Sequence, residues 1–235
     1  LLEANEFAAT WVFVHGNQIP PEEALKRGAA MYRRVRAATP DCAPIRFVIW
    51  SWPSERNTNR LKDARLKRNR TNVESFLLGS YLAAIAEDTP LRFIGYSFGA
   101  RIVSGALHLA SGGQLDGHCL GGSVEPIAPY RIALLAAAVE ADGYQRGGRY
   151  CHALDNVEHL LLMNNSRDQA LRFFWLLTSE KPKALGFAGA YSRPTHVKLP
   201  QYDWAKQIGK DHSLWQYLDR QFIIQKMGSA LAGQL

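Results

Sequence analysis

The chain has 235 residues, of which 47% are hydrophobic, enough for one sizeable core. No apolar run approaches the roughly 20 residues that a membrane-spanning helix needs. Three scattered cysteines, Cys42, Cys119 and Cys151, argue against a disulfide scaffold and against a zinc site. They favour a reducing compartment, so we expect a cytoplasmic protein. The sequence opens on Leu1 rather than Met, from which we expect that residues upstream have been removed.

Short apolar runs predict six strands. They lie at residues 10–14, 45–50, 91–94, 130–135, 157–163 and 196–199, the last as an edge strand. Helical patterns alternate with these runs, which is typical of the α/β class. The alternation predicts a doubly wound, mostly parallel sheet of about six strands with helices on both faces. No linker composition interrupts it, so we expect a single domain over residues 1–235.

Two helices are predicted between the first three strands. The first begins at Pro20-Pro21, and Leu25, Tyr32 and Val35 give it an apolar stripe. The second has an apolar stripe that includes Val73 and Leu77 and ends before Pro90. We expect both stripes to face the core.

A basic stretch precedes the second helix and enters it. It contains Arg56, Arg60, Lys62, Arg65, Lys67, Arg68 and Arg70. One interpretation is a solvated stretch, and the other is a surface for an anionic partner, in keeping with the net charge of +7. No nucleic-acid-binding motif accompanies the stretch, so we do not expect nucleic acid as a partner.

The most informative motif is Gly95-Tyr96-Ser97-Phe98-Gly99, which joins the third strand to a helix. A G-x-S-x-G pattern in this context is typical of a nucleophile elbow. The turn is so tight that the serine is strained, and small residues on both sides let strand and helix pass closely. Ser97 is therefore the candidate nucleophile.

A serine nucleophile needs a histidine base and a carboxylate that orients the histidine. In a parallel sheet the candidates are residues just beyond the carboxyl ends of strands. Asp168 follows the fifth strand and His212 follows the sixth, which gives the Ser, acid, His order of an α/β-hydrolase. Glu140 and Asp142, after the fourth strand, remain alternative acids. The other histidines lie in helices, in a strand, in a distant loop or on the oxyanion side: His15, His108, His118, His152, His159 and His196.

The oxyanion formed by serine attack needs backbone donors. One is expected from the N–H of Phe98, directly after the nucleophile, and the other from Asn17 in the loop after the first strand. We place His15, Trp52 and Tyr96 beside the substrate pocket. For Trp52, as for Phe98, ordinary packing is an equally good interpretation.

Four motifs together resemble a known family. They are Val14-His15-Gly16-Asn17, Trp50-Ser51-Trp52-Pro53-Ser54, the elbow continuing to Arg101, and Leu135-Ala-Ala-Ala-Val-Glu-Ala-Asp142. The set resembles the bacterial α/β-hydrolases of unknown function called DUF900, although those commonly have H-S-M-G at the elbow. A full α/β-hydrolase fold has two strands before the one that ends at His15. We therefore expect either a minimal sheet or an amino end that has lost those strands, and no large cap domain.

The resemblance implies serine-dependent hydrolysis without a cofactor, usually of carboxylic esters, and does not fix the substrate. The short connection at residues 140–157, where many relatives insert a cap domain, favours an open site and a small or accessible acyl substrate. Since no metal-ligand spacing occurs in the sequence, we expect no metal. The alternatives are a thioesterase, lipase or peptidase that uses the same triad, or a hydrolase-fold binding protein without activity. The sequence leaves the substrate and the oligomeric state open.

Overall fold

The computed structural model describes residues 7–191 and 194–234. Its parallel strands form one sheet in the order β2-β1-β3-β4-β5-β6. The strands are β1 (Ala9–Val14), β2 (Ile45–Trp50), β3 (Leu91–Tyr96), β4 (Tyr130–Leu135), β5 (Val157–Asn164) and β6 (Gln201–Asp203). The central strands are buried on both faces, which explains their continuous apolar runs. The predicted fold class is confirmed.

Helices form a layer on each face of the sheet. The longer helices are α1 (Pro21–Ala38), α2 (Arg60–Ile85), α3 (Phe98–Ala110) and α8 (Gln221–Ala232). The short ones are α4 (Gln169–Arg172), α5 (Leu185–Ala188), α6 (Ala205–Ile208), α7 (Leu214–Leu218) and a 3₁₀ helix (Phe174–Leu177). α1, α7 and α8 contact one another in one layer, and α2 and α3 contact each other in the other.

The carboxyl ends of all six strands meet at one edge, which we call the carboxyl rim. Val14 is in register with Trp50 and Gly95, Tyr96 with Leu135, and Asn164 with Asp203. Loops that leave these positions therefore start side by side. The connection after β4, residues 136–156, consists of turns and contains no cap domain.

The sixth strand differs from the prediction. It spans Gln201–Asp203, whereas residues 196–199 contribute only an isolated bridge from Lys198 to His159. Pro200 separates the two, and because proline has no N–H it cannot donate to the ladder.

The predicted helical stripes are also partly wrong. In α1, Leu25 and Tyr32 are exposed and only Val35 is buried. In α2, Val73 and Leu77 are exposed.

The buried side of α2 is largely small and polar, because α2 packs very closely on α3. A Cβ on Gly105 of α3 would lie 2.3 Å from Ser75 Oγ of α2, and the Ser75 hydroxyl donates to backbone oxygens of Thr71 and Ile102. A large apolar side chain has no room at this contact.

Candidate active site

Ser97 stands at the sharp turn between β3 and α3. Its backbone has φ 54° and ψ −119°, a strained combination for a residue with a Cβ. The turn requires glycine at 99, because a Cβ there would lie 2.0 Å from the Val14 carbonyl oxygen. Backbone hydrogen bonds from Ser97 N–H to Leu135 O and from Ala138 N–H to Ser97 O attach the turn to the end of β4. The surrounding sheet thus holds Ser97 in its strained conformation.

Ser97, His212 and Asp168 form one hydrogen-bonded chain. Ser97 Oγ lies 2.8 Å from His212 Nε2, and His212 Nδ1 lies 2.6 Å from Asp168 Oδ2. Since an ionised carboxylate only accepts, Nδ1 carries the proton and Nε2 is left to accept from the serine hydroxyl. The three residues sit on three different loops of the carboxyl rim.

Asp168 is held from two sides. It is fully buried, and its Oδ1 accepts the Leu171 N–H at 3.0 Å as the N-cap of α4. Its other oxygen meets the histidine, so both oxygens have a partner and the carboxylate cannot turn away without losing one.

The loop that presents His212 is fixed by Asn165 and Tyr96. The buried Asn165 side chain donates to Gly209 O at 2.9 Å and to Asp211 O at 3.2 Å. The Tyr96 hydroxyl donates to His212 O, and its ring lies 5.6 Å from the imidazole. Burial raises the Tyr96 pKa far above its usual value, so the phenol stays a donor. Asn165 was not predicted, although its position just past β5 was a usable signal.

The alternative acids lie elsewhere. Asp142 is exposed. Glu140 is buried and accepts from Arg101 through both oxygens, at 2.8 and 2.7 Å, and from Arg68 at 3.1 Å. Glu140 thus neutralises a buried arginine behind the elbow rather than orienting a histidine.

The loop after β1 is clamped by the loop after β2. Ser54 Oγ donates to Ile19 O and accepts from Ile19 N–H, and Gln18 N–H donates to Ser54 O. The Asn17 side chain donates to Asp63 Oδ2 of α2 at 3.1 Å. In the part of the chain that the structure describes, no acceptor contacts the backbone N–H of Asn17 or of Phe98. The Trp-Pro-Ser motif therefore acts on the loop that holds one predicted oxyanion donor.

His15 and Trp52, which were assigned to the substrate pocket, are buried against each other. Trp52 Nε1 donates to His15 O at 2.9 Å, and Trp52 N–H donates to His15 Nε2 at 3.2 Å. Burial, opposed by a hydrogen bond to Gly16, lowers the pKa of His15 to about 4, so the ring is neutral. Both residues stabilise the loop, and their contact with a substrate stays a prediction.

The basic stretch divides into structural and exposed residues. Lys67 is buried and donates to Pro53 O, while Arg68 pairs with Glu140. Arg56, Arg60, Lys62 and Arg65 are exposed. The stretch is therefore not uniformly solvated.

A parallel sheet covered on both faces, with a strained serine at the β3–α3 turn, defines the α/β-hydrolase fold. The chain belongs to the family described as alpha/beta hydrolase of unknown function (DUF900), whose model matches residues 2–184. The match includes Ser97 and Asp168 and ends before His212. The resemblance seen in the sequence motifs is confirmed.

Several solved structures are similar to this one. The catalytic core domain of acetyl xylan esterase from Trichoderma reesei is 13% identical, with a TM-score of 0.51 over 98% of this chain and 100% of that one. The inhibited esterase B from Lactobacillus rhamnosis is 10% identical, with a TM-score of 0.49 over 98% of this chain and 79% of that one. Acyl-protein thioesterase 2 from Zea mays is 14% identical, with a TM-score of 0.44 over 85% and 86% of the two chains. At 13% identity the likeness to the acetyl xylan esterase core shows the fold alone. A comparison with curated proteins finds no significant match.

Two further features bear on partners. Among the described residues, no helix is long and apolar enough to cross a membrane. The same residues contain no group of three or more side chains placed to hold a metal ion.

Proposed function

We propose that this protein is a serine hydrolase that cleaves carboxylic esters, with Ser97 as nucleophile, His212 as base and Asp168 as orienting acid. The observation that carries the proposal is the unbroken chain of hydrogen bonds from Ser97 Oγ through the imidazole to Asp168. A strained serine at the start of a helix, joined to a histidine on another loop, has no evident purpose in packing.

In the first half of the reaction, Ser97 Oγ attacks the ester carbonyl carbon while its proton passes to His212 Nε2. Asp168 stabilises the imidazolium that forms, because its buried carboxylate contacts Nδ1. The tetrahedral intermediate collapses, the C–O bond to the alcohol breaks, and His212 returns the proton to the leaving oxygen. An acyl-serine remains.

In the second half, His212 takes a proton from water as the water oxygen attacks the acyl carbonyl. Collapse of the second intermediate releases the carboxylic acid, and the proton returns to Ser97 Oγ. The protein ends in its starting state, and the net reaction converts the ester and water into the alcohol and the carboxylic acid without a cofactor.

The backbone N–H groups of Phe98 and Asn17 are proposed to stabilise the oxyanion in both halves. Phe98 is the first residue of α3, so its N–H has no partner within the helix and lies at the positive end of the helix dipole. Asn17 lies in the loop clamped by Ser54. Donors fixed before the reaction stabilise a developing charge without reorganising.

A small acyl group fits the exposure of the site. Only 7% of Ser97 is exposed, although the His212 side chain is 26% exposed. A compact acyl group reaches such a serine more easily than a bulky one, whereas the leaving alcohol can extend toward solvent.

The proposal is tested with a fluorophosphonate probe and a set of p-nitrophenyl esters of increasing chain length. We expect covalent labelling of the wild type and the fastest turnover on the shortest ester. Ser97→Ala removes the nucleophile, so labelling is lost and kcat falls by as much as about 10⁶-fold, down to the assay background.

Ser166→Ala is the matched control. Ser166 lies on the same rim, but its hydroxyl donates to Asp203, so this variant keeps labelling and turnover. If the wild type is neither labelled nor active on any ester, the proposal is wrong and the chain is a hydrolase-fold binding protein.

A further inference from the structure

An exposed surface that is both apolar and basic lies beside the candidate active site, and the proposed chemistry does not use it. We call it the α2–3₁₀ surface. Its apolar members are each 39–57% exposed: Leu61, Leu66, Phe173 and Trp175. They lie on two elements that contact each other, α2 and the segment of α4 and the 3₁₀ helix. Exposed apolar side chains on adjoining elements mark contact surfaces more often than isolated ones do.

The α2–3₁₀ surface adjoins the carboxyl rim at both of its parts, α2 and the 3₁₀ helix, and one contact joins those parts to each other. Asp63, in the first turn of α2, accepts from the Asn17 side chain in the loop after β1. Asp168 caps α4, Phe173 ends that helix, and Trp175 lies in the 3₁₀ helix that follows. The Arg65 guanidinium donates twice to Leu176 O, at 3.1 and 2.9 Å, which joins α2 to the 3₁₀ helix.

Exposed cations stand next to the apolar side chains in the sequence. They are Arg60, Lys62, Arg65 and Arg172, all exposed. Among the described residues, none of these four forms an ion pair. Of the acids nearby, Asp63 is buried and bonded to Asn17, so it does not offset these charges at the surface. Glu180, just past the 3₁₀ helix, is exposed, but the four exposed cations outnumber it.

This combination matches an anionic lipid bilayer. Such a bilayer presents negative headgroups over an apolar interior, and exposed leucine and tryptophan side chains insert at that boundary while cations meet the headgroups. A second copy of the chain is a poorer occupant, because two basic surfaces on chains of net charge +7 repel each other.

We propose that the α2–3₁₀ surface binds the headgroup region of an anionic lipid bilayer, which turns the neighbouring carboxyl rim toward the membrane surface. The binding itself is independent of Ser97. That the bilayer would then supply the ester rests on the proposed function.

The test is flotation of the purified chain with vesicles of phosphatidylglycerol and phosphatidylcholine, and with vesicles of phosphatidylcholine alone. We expect binding to the anionic vesicles that weakens with salt, and little binding to the neutral ones. The triple variant Arg60→Gln, Lys62→Gln, Arg172→Gln should bind about 100-fold more weakly, at roughly fivefold for each charge. None of these three side chains makes a hydrogen bond among the described residues, so the variant should fold.

A charge-matched control removes three exposed cations from elsewhere: Arg33→Gln, Arg146→Gln, Lys198→Gln. It should keep most of the affinity. For the apolar half, Leu66→Ser with Trp175→Ser should weaken binding by at least about tenfold. The control pair, Leu25→Ser with Ile127→Ser, should not weaken binding, although those residues are at least as exposed as Leu66 and Trp175.

Several results would overturn the inference: no binding to anionic vesicles, equal losses in the two triple variants, or a stable dimer in sedimentation that Leu66→Ser with Trp175→Ser abolishes. The last would make the surface a contact between two copies. Ser97→Ala should bind vesicles as the wild type does. If that variant binds vesicles and also retains ester hydrolysis, the proposed function fails while this inference stands.

Discussion

Two buried carboxylates follow neighbouring strands of one sheet, Asp168 after β5 and Glu140 after β4, and their surroundings give them different roles. Glu140 accepts from Arg101 and Arg68, two permanent cations. Asp168 accepts from a backbone N–H and from His212. Because the charge of Glu140 is already compensated by two arginines, it stabilises a positive charge that develops during a reaction only weakly. A carboxylate that faces a neutral imidazole can stabilise the proton when that ring gains one.

The electrostatics of Glu140 support its structural role. Burial by itself raises the Glu140 pKa, but the charge and hydrogen bonds of Arg101, aided by Arg68, outweigh burial and hold the pKa below its usual value. The glutamate is thus ionised at neutral pH, and Arg101, which is fully buried, has its counter-charge.

The largest expected effect separates the two carboxylates by activity. Asp168→Asn keeps the shape but not the charge or the tautomer that the carboxylate imposes on His212, so kcat on a short p-nitrophenyl ester should fall about 10⁴-fold. The free energy of unfolding, measured in urea, should change little by comparison. A variant that keeps activity within tenfold of wild type would remove Asp168 from the triad.

The next effect separates them by stability. Glu140→Gln leaves the Arg101 charge buried without a full partner, so the free energy of unfolding should fall by about 3–5 kcal/mol in urea. Folded Glu140→Gln protein should keep kcat within a few-fold of wild type.

A double variant checks the physical reason. Replacing the pair with apolar residues, Glu140→Leu with Arg101→Met, removes the unpaired charge and should recover part of the lost stability. Should Glu140→Gln instead abolish turnover with no loss of stability, the roles of the two carboxylates are exchanged.

This contrast also explains how far the sequence could predict the site. The ends of the strands mark which residues reach the carboxyl rim. Ser97, Asp168 and His212 could therefore be selected from the sequence as candidates, and the structure brings these three together. The function of Glu140 was not readable, because its partner Arg101 faces inward from α3 and nothing local in the sequence reveals an ion pair across the fold.

The positions of the strands could be predicted from the sequence, but the buried face of α2 could not. Buried parallel strands leave continuous apolar runs, and those runs predicted every strand but the last. The faces of α2 were not predictable, because close packing at Gly105 selects small and polar residues for the buried side and leaves Val73 and Leu77 exposed.

A smaller effect concerns a third buried titratable group, His15, and is seen in how the free energy of unfolding depends on pH. Its folded pKa of about 4 lies below the ordinary value of 6.5, so between those pH values the unfolded chain binds a proton that the folded chain refuses. The stability from neutral His15 is complete above the ordinary pKa and is lost as the pH falls toward about 4. Between about pH 7.5 and about pH 5 the loss should be about 2 kcal/mol.

The comparison that isolates His15 is between pH profiles, since carboxylates such as Glu140 also affect stability in acid. His15→Gln should flatten the dependence of the unfolding free energy on pH over this range. His196→Gln, at an exposed histidine, should leave it unchanged. If the two variants follow the same profile, His15 is not the group that titrates.

The smallest expected effect concerns Asn165, which positions the His212 loop and so keeps the imidazole within hydrogen-bond distance of Asp168. Asn165 donates to two carbonyls of the His212 loop, so Asn165→Ala should loosen the loop and lower kcat by roughly tenfold, short of the ~100-fold that a full ångström of misplacement costs. KM should stay nearly constant, because the Asn165 amide bonds to backbone groups of Gly209, Asp211 and Arg167. Asn164→Ala is the matched control. The Asn164 side-chain amide makes no hydrogen bond among the described residues, so kcat of this variant should equal that of the wild type. Equal losses in the two variants would mean that the end of β5, rather than the Asn165 amide, positions His212.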